Sequence, residues 1–175
     1  MLRASDLFGM PVMTQENRNL GAVGEILVDL DRGRLRALVM PVKILAEPDL
    51  IPAEKILSMG PDKVRLASED IILRGEDASH LRQGNFTLER IRTLTVVTDA
   101  DNRLGQVEDL VLDQNRVVSL ELSDGLIQDI FQGRQEIPLL DKVIIQGDKI
   151  IIPEESRNLP EDGSSPETWH RTQDF

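Results

Sequence analysis

Apolar and polar residues alternate in short stretches along most of the chain. In one stretch, Ile26, Val28 and Leu30 fall on one face of an extended strand, and the residues between them fall on the other face. A polar turn at residues 31–34 follows, and an apolar run over residues 35–42 brings the chain back as the second strand of a hairpin. Short strands joined by closely spaced turns are typical of a small closed antiparallel barrel.

This pattern occurs twice. Residues 13–29 and 97–113, which are 84 positions apart, each contain a strand end, a polar turn and a long strand that starts at Leu-Gly and ends at Asp. The offset falls to 82 after a tighter hairpin turn and rises to 86 because the second copy gains four residues between Leu122 and Ile137. Length changes confined to turns indicate a duplicated unit. We therefore expect Leu20, Gly21, Val23 and Ile51 to be structurally equivalent to Leu104, Gly105, Val107 and Ile137.

The repeat predicts an all-β protein with two tandem domains. We expect a first antiparallel barrel at residues 1–75, a linker at 76–92 and a second antiparallel barrel at 93–153. The linker is predicted to contain a short helix over residues 77–83, ended by the glycine that follows. Acidic residues together with Pro, Gly and Ser dominate residues 154–175 and cannot build a core, so we expect a disordered acidic tail there.

The composition limits the class of protein. Hydrophobic residues make up 40% of the chain and charged residues 29%, which is ordinary for a soluble globular protein. Aromatic residues are only 3%, so the cores must be aliphatic, and the lack of cysteine excludes disulfides, thiolate metal sites and a catalytic thiol. The chain shows no apolar run of signal-peptide length at its start and no stretch of 18 apolar residues. We therefore expect a cytoplasmic protein without direct membrane insertion.

The net charge of −11 narrows the choice of partners. No segment has the basic surface that nucleic acid or anionic lipid requires, so we expect neither as a partner. Two interpretations of the acidity stay open. It either keeps the protein soluble or favours encounter with a basic protein partner. A second copy of the chain is a further candidate partner.

The acidic turn at residues 99–103 superficially resembles a calcium-binding loop. Leu104 and Leu110 stand where such a loop needs glycine and glutamate, and Asp and Asn in a turn hydrogen-bond their own backbone. We therefore predict a structural turn. Neither His80 nor His170 belongs to a catalytic motif. We expect no catalytic residue, no bound metal and no cofactor, and a protein that is not an enzyme.

Gly21 and Gly105 open the long strand in the two copies. Residues 21–24 lead into a strand and not into a helix, and no P-loop lysine follows, so they are not a phosphate-binding loop. Close approach of another backbone in a small barrel is the predicted reason for both glycines.

The residues gained in the second copy lie in a segment with helical periodicity. Leu126, Ile127, Ile130 and Phe131 share one face of two helical turns, with capping residues before them and a glycine after them. This predicts a short amphipathic helix inserted in the barrel. Its apolar face either packs against the barrels or is exposed and contacts a partner, so these four residues are the candidate partner contact. Trp169 in the tail is either a docking anchor or a stray aromatic residue.

Each copy contains a set of short motifs in a fixed order, and the Leu-Gly-x-Val and Ile-Pro motifs are common to both. The sets are Gly9-Met10-Pro11-Val12, Leu20-Gly21-x-Val23 and Ile51-Pro52 in the first copy, and Leu104-Gly105-x-Val107, Ser123-Asp124-Gly125 and Ile137-Pro138 in the second. Their order, spacing and duplication resemble the PRC-barrel family in a tandem form, over most of the chain.

That family is named for the cytoplasmic domain of the photosynthetic reaction centre H subunit. It also includes the C-terminal domain of the small-subunit ribosome maturation factor. The resemblance implies compact β-barrels used for protein–protein contact. We therefore expect an adaptor that docks on another protein or complex, and the alternative is a ribosome-assembly factor that contacts a basic ribosomal protein.

Overall fold

The computed structural model describes residues 1–41, 48–123, 135–139 and 143–154. Within these ranges, short strands dominate. In chain order they are β1 (Leu2–Arg3), β2 (Pro11–Thr14), β3 (Asn19–Ala22), β4 (Glu25–Asp29), β5 (Arg34–Val39), β6 (Leu50–Pro52), β7 (Ile56–Met59), β8 (Val64–Leu66), β9 (Phe86–Thr87), β10 (Thr95–Thr98), β11 (Arg103–Asp113), β12 (Arg116–Ser123), β13 (Gln135–Pro138), β14 (Ile144–Gln146) and β15 (Lys149–Ile152). The helices are α1 (Gly75–Arg82) and α2 (Leu88–Ile91), and 3₁₀ turns span Ala4–Leu7, Ala53–Lys55 and Glu69–Ile71.

The strand register confirms that the chain contains one unit twice. Val12 of β2 lies opposite Gly21 of β3, and Val96 of β10 lies opposite Gly105 of β11. A β-bulge interrupts both ladders immediately after these pairs. The pairs are 84 positions apart on both strands, so the two glycines are equivalent as predicted.

The hairpins that follow share a register as well. Leu38 of β5 lies opposite Ile51 of β6, and Leu120 of β12 lies opposite Ile137 of β13. All four side chains are buried in the main core. The predicted equivalence of Ile51 and Ile137 is therefore confirmed.

Among the described strands, each copy also shows a parallel pair, which the expectation of antiparallel barrels did not include. Strand β8 runs parallel to β2, and β15 runs parallel to β10. In the first copy, the 3₁₀ turn Ala53–Lys55 bends the chain from β6 into β7 without forming a hairpin. Because the chain skips one reversal there, β8 returns in the direction of β2.

The explanation by close backbone approach is wrong for Gly21. A Cβ atom on this residue would meet the Met40 Sδ at 3.6 Å, which is an ordinary contact. The φ angles of Gly21 and Gly105 are +133° and +156°, a conformation that side chains with a Cβ rarely adopt. Close approach occurs instead at Gly24, where a Cβ atom would lie 2.9 Å from the Cγ of Pro41.

Each repeat gives its leading segment to the sheet of the other. The leading segments are residues 2–7 and residues 86–91, each a short strand followed by one helical turn, 84 positions apart. Strand β1 pairs with β11 of the second repeat, and β9 pairs with β4 of the first. Residues 86–91 fall in the range predicted as linker, and the structure shows them as the start of the second copy.

A carboxylate of the receiving sheet holds each leading segment. Asp109 of β11 accepts hydrogen bonds from the backbone N–H of Ser5, at 3.2 Å, and from the Ser5 hydroxyl. Glu25 of β4, which is 84 positions earlier, accepts from the N–H of Leu88 at 3.3 Å. The first N–H groups of a helical turn have no partner inside the turn, so these carboxylates stabilise the exchange.

Both repeats contribute to one main hydrophobic core. Leu7 from one leading segment, and Leu88 and Ile91 from the other, are fully buried in it. They share the core with strand residues such as Ile26 and Leu110. Burial of each such side chain stabilises the fold by roughly 1.5–3 kcal/mol, so the exchanged segments hold the repeats together.

Helix α1 packs against strands β4, β5 and β6 of the first repeat. Ala78 packs in a second, smaller cluster with Leu27, Ala37 and Leu50. The predicted helix is confirmed, although it begins two residues earlier, and Gly84 follows it with a φ of +73°. Neither α1 nor any other helix among the described residues is long and apolar enough to cross a membrane.

The repeats are also joined edge to edge. One residue pair between β5 and β12 joins the strands of both repeats into a single sheet. The strand order of this sheet is β14-β15-β10-β11-β12-β5-β4-β9, and β1, β6 and β13 pair with strands of this path without lying on it. A second sheet has the order β3-β2-β8-β7. Strand β7 is therefore one terminal strand of the second sheet, opposite β3, and β14 is one terminal strand of the larger sheet, opposite β9.

Candidate docking surface

The predicted helical insert lies outside the residues that the structure describes. Leu126, Ile127, Ile130 and Phe131 all fall in residues 124–134, so their role as a partner contact stays a prediction. Trp169 and the predicted tail from residue 155 onward also lie outside the described ranges. The described residues contain a different candidate surface.

This surface is a groove of about 590 Å³ between β1, β7 and the turn from β11 to β12. Its lining consists of residues 56–61, residues 112–115, Met1 with Leu2, and Ala53 with Glu54. Small-molecule pockets have volumes of roughly 300–1,000 Å³, and the groove falls in that range. It differs from such pockets because one of its walls is a terminal β-strand.

Strand β7 offers an open backbone edge to the groove. Among the described strands it pairs only with β8. The Gly60 N–H donates to the Lys63 carbonyl at 3.0 Å, and Met59 lies opposite Val64 in the next pair. Hydrogen-bonded and non-hydrogen-bonded pairs alternate in an antiparallel ladder, so the N–H and C=O of Met59 point toward the open side.

The equivalent strand of the second repeat has the same character. Strand β14 is the terminal strand of the larger sheet, and Ile145 lies opposite Ile150 as Met59 does opposite Val64. In the described ranges, the large hydrophobic side chains classed as exposed are Met1 at 94%, Leu57 of β7 at 52% and Ile144 of β14 at 61%. Two of the three thus lie on equivalent terminal strands.

The charged side chains in the described lining of the groove are both acidic. Glu54 and Asp113 are exposed there, and the lining contains no lysine or arginine. An exposed ion pair is worth at most about 1 kcal/mol, but charge of one sign speeds the approach of an opposite charge. The groove therefore favours a basic partner over an acidic one.

Residues 99–103 form a tight turn as predicted, but a threonine hydroxyl closes it, and not the Asp and Asn side chains that the prediction named. Asp101 has a φ of +60°, and its equivalent Asn17 in the first copy has a φ of +63°. The Thr98 hydroxyl accepts from the N–H of Asn102 at 3.2 Å and closes the turn. No group of three or more His, Asp or Glu side chains in the described part of the chain is placed to hold a metal ion.

Two buried carboxylates that the sequence pattern does not single out, Asp109 and Glu121, serve the contact between repeats. Arg3 donates from its Nε to Glu121 at 2.7 Å, and the side chain of Asp109 is almost fully buried beside Ser5. Their partners are more than 100 positions away, so no local pattern indicates them. The sequence contains one sign of the open edge. The adjacent apolar residues Ile56 and Leu57 break the alternation of apolar and polar residues that is expected of a half-buried strand.

The chain is similar to known proteins over most of its length. A family model described as PRC-barrel domain matches residues 1–70 and 83–158. The second match begins before β9 and therefore includes the exchanged leading segment. "Uncharacterized protein YrrD" of Bacillus subtilis (strain 168) is 27% identical over 149 residues, which cover 82% of this chain and 83% of the relative. The chain belongs to the PRC-barrel domain family.

Proposed function

We propose that this PRC-barrel protein is a non-enzymatic adaptor that docks on another protein through an open strand edge. The observation that carries the proposal is that the terminal strand β7 and its equivalent β14 each carry an exposed apolar side chain, Leu57 on β7 and Ile144 on β14 at the position equivalent to Ser58. Single exposed apolar residues are ordinary on a protein surface. The presence of one such residue on each of two equivalent open edges favours a binding role.

An open edge binds proteins through the chemistry that builds sheets. Its free N–H and C=O groups pair with an extended segment of a partner, and side chains beside the edge select which segment fits. Natural proteins usually protect such edges with charges, prolines or covering elements. Strand β7 (Ile56–Met59) contains neither a charged residue nor proline, and a β-bulge between Ile56 and Ser58 is the only irregularity in its ladder with β8.

A second candidate function is ribosome assembly with a basic ribosomal protein as the partner. The acidic lining of the groove, Glu54 and Asp113, and the net charge of −11 favour it. We also propose a cytoplasmic location for either function. The identity of the recovered partner separates the two candidates.

The test is affinity purification from native extract followed by mass spectrometry. We compare the unchanged chain with a variant that carries Leu57→Lys and Ile144→Lys. The matched control carries Ala67→Lys and Gln83→Lys, which add the same charge at exposed positions outside the groove lining. We expect the edge variant to lose its main partner and the control to keep it, with equal thermal stability. Recovery of the same partner by both variants contradicts docking through the edges.

A further inference from the structure

We infer that the groove between β1 and β7 binds an extended protein segment that adds to the edge of β7 and carries a lysine or arginine opposite Glu54 or Asp113. This inference rests on the proposed adaptor function and specifies the site and the chemistry of the partner. Three features of the groove support it: its open backbone, its apolar side chains and its charge.

The backbone of β7 specifies an extended partner. The N–H and C=O of Met59 point toward the open side, as the pairing of Gly60 with Lys63 requires. A strand rises about 3.3 Å per residue, so the four residues of β7 align with about four residues of an incoming segment. A helix could not pair with this edge, because its backbone groups already bond within the helix.

The side chains of the groove favour apolar residues in that segment. Ile56 and Met59 are half-buried and pack against the main core, which fixes the wall of the groove before a partner arrives. Leu57 is 52% exposed and can lose more of its surface to a partner. Methionine adapts its shape readily, so Met59 suits several apolar partners.

The charge of the groove decides among the occupants. Glu54 and Asp113 repel an acidic segment and attract a basic one. Residues 155–175 of this chain hold more acidic than basic side chains, so they fit poorly. A second copy that paired β7 with β7 would bring its own Glu54 near the same acids. A basic segment from a different protein fits best.

The first experiment selects seven-residue peptides from a random library on the immobilised full-length chain. We expect the enriched peptides to combine alternating apolar residues with lysine or arginine and to lack proline at their centre. Leu57→Lys should weaken binding of the best synthetic peptide at least tenfold, and Ala67→Lys should leave it unchanged. Replacing Glu54 with Gln and Asp113 with Asn should remove the preference for basic over neutral peptides.

The second experiment measures amide hydrogen exchange with and without that peptide. We expect bound peptide to slow exchange at Met59 and not at the equivalent β14. Peptides without basic residues, or protection elsewhere, overturn the inference. If β7 is protected without peptide and dilution removes the protection, a second copy occupies the groove. If removal of residues 155–175 removes the protection, the tail occupies it. Either result also overturns the inference.

The inference and the adaptor function can fail separately. If no peptide is selected but the protein partner is still recovered and still depends on the open edges, the groove inference fails and the adaptor function stands. If partner recovery does not depend on Leu57 or Ile144, the proposed docking through the edges fails as well.

Discussion

Arg34 of β5 lies directly opposite Arg116 of β12, its own equivalent in the second repeat. The hydrogen bonds beside this pair are reciprocal. The Leu35 N–H donates to the Asn115 carbonyl at 2.9 Å. The equivalent N–H of Val117 donates to the Gly33 carbonyl, also at 2.9 Å. A residue faces its own copy with reciprocal bonds only across a two-fold axis. An approximate two-fold axis therefore passes between the two arginines.

Acidic residues flank this pair of like charges. Asp29 lies opposite Arg34 on the side of β4, and Asp113 lies opposite Arg116 on the side of β11. Like charges directly opposite each other destabilise a sheet, and opposite charges on the next strands offset that effect. The same axis relates the two exchanged leading segments, so the single chain has the organisation of a swapped dimer.

Replacing Asp109 with alanine should destabilise the protein by about 1–2 kcal/mol, because the leading segment loses the acceptor for Ser5. Chemical denaturation measures the change in the free energy of unfolding. The double variant with Ser5→Ala should be less destabilised than the two single effects combined, since both changes remove one contact. Glu16→Ala, at an exposed position, is the control and should cost less than about 0.5 kcal/mol. Equal losses for Asp109→Ala and the control would show that the capping contact is unimportant.

Residues 1–80 expressed alone should form a dimer. Without the second repeat, β4 lacks the partner strand β9, and the leading segment at residues 2–7 has no sheet to join. Because the two leading segments are equivalent, each copy can place residues 2–7 where residues 86–91 normally lie. Sedimentation equilibrium measures the mass, and Leu7→Asp should prevent the association. A stable folded monomer of residues 1–80 would contradict this prediction.

Gly21→Ala should cost about 1–3 kcal/mol of stability, since a residue with a Cβ is strained at a φ of +133°. Gly105→Ala should behave in the same way for the same reason. Gly60→Ala is the matched control, because a Cβ there meets only ordinary contacts at 3.6 Å. Thermal unfolding provides the comparison, and a nearly neutral Gly21→Ala would refute the conformational explanation.

Asp101→Ala should destabilise the acidic turn by about 1–2 kcal/mol, and Asp101→Gly should cost less, because glycine adopts a φ of +60° without steric cost. The ion pair of Asp101 with Lys149, at 3.8 Å on the surface, contributes little. Unfolding temperatures should be the same in calcium and in a chelator. A rise in calcium that disappears with Asp99→Ala would show that the turn binds the ion.

Phe131→Asp should separate the two interpretations of the predicted helical insert. If its apolar face contacts a partner or a second copy, the change should abolish partner capture or dimerisation and leave thermal stability nearly unchanged. If the face packs against the barrels, the change should greatly lower the unfolding temperature, because a buried carboxylate is costly. Differential scanning calorimetry together with partner capture distinguishes these outcomes.

The duplication and its register could be read from the sequence. Turn residues such as Asn17 and Asp101, and the glycines that begin the long strands, depend on the conformation of a few neighbouring residues. Alternating apolar residues then fix which face of each strand is buried, since a slip of one position would expose the whole face. These constraints are local, so short segments of the sequence are enough to predict them.

The open edge of the candidate surface could be predicted only in part from the sequence. The adjacent apolar residues Ile56 and Leu57 indicate an irregular strand, but they do not show which side of it is left unpaired. That depends on the position of β7 at the end of its sheet, beside β1 and the turn at residues 112–115. These elements are distant in sequence, so only the folded chain brings them to one groove.

The sequence by itself determined two copies of one β-rich unit, their equivalent residues and their turns. Only the tertiary structure decided that each copy gives its leading segment to the other. Residues 2–7 and 86–91 occupy equivalent positions, so local preferences do not determine which sheet receives which segment. Contacts across more than 60 positions decide it, above all the capping of Ser5 by Asp109 and of Leu88 by Glu25. The burial of Leu7 in the shared core adds to them. Those contacts exist only after both repeats have come together.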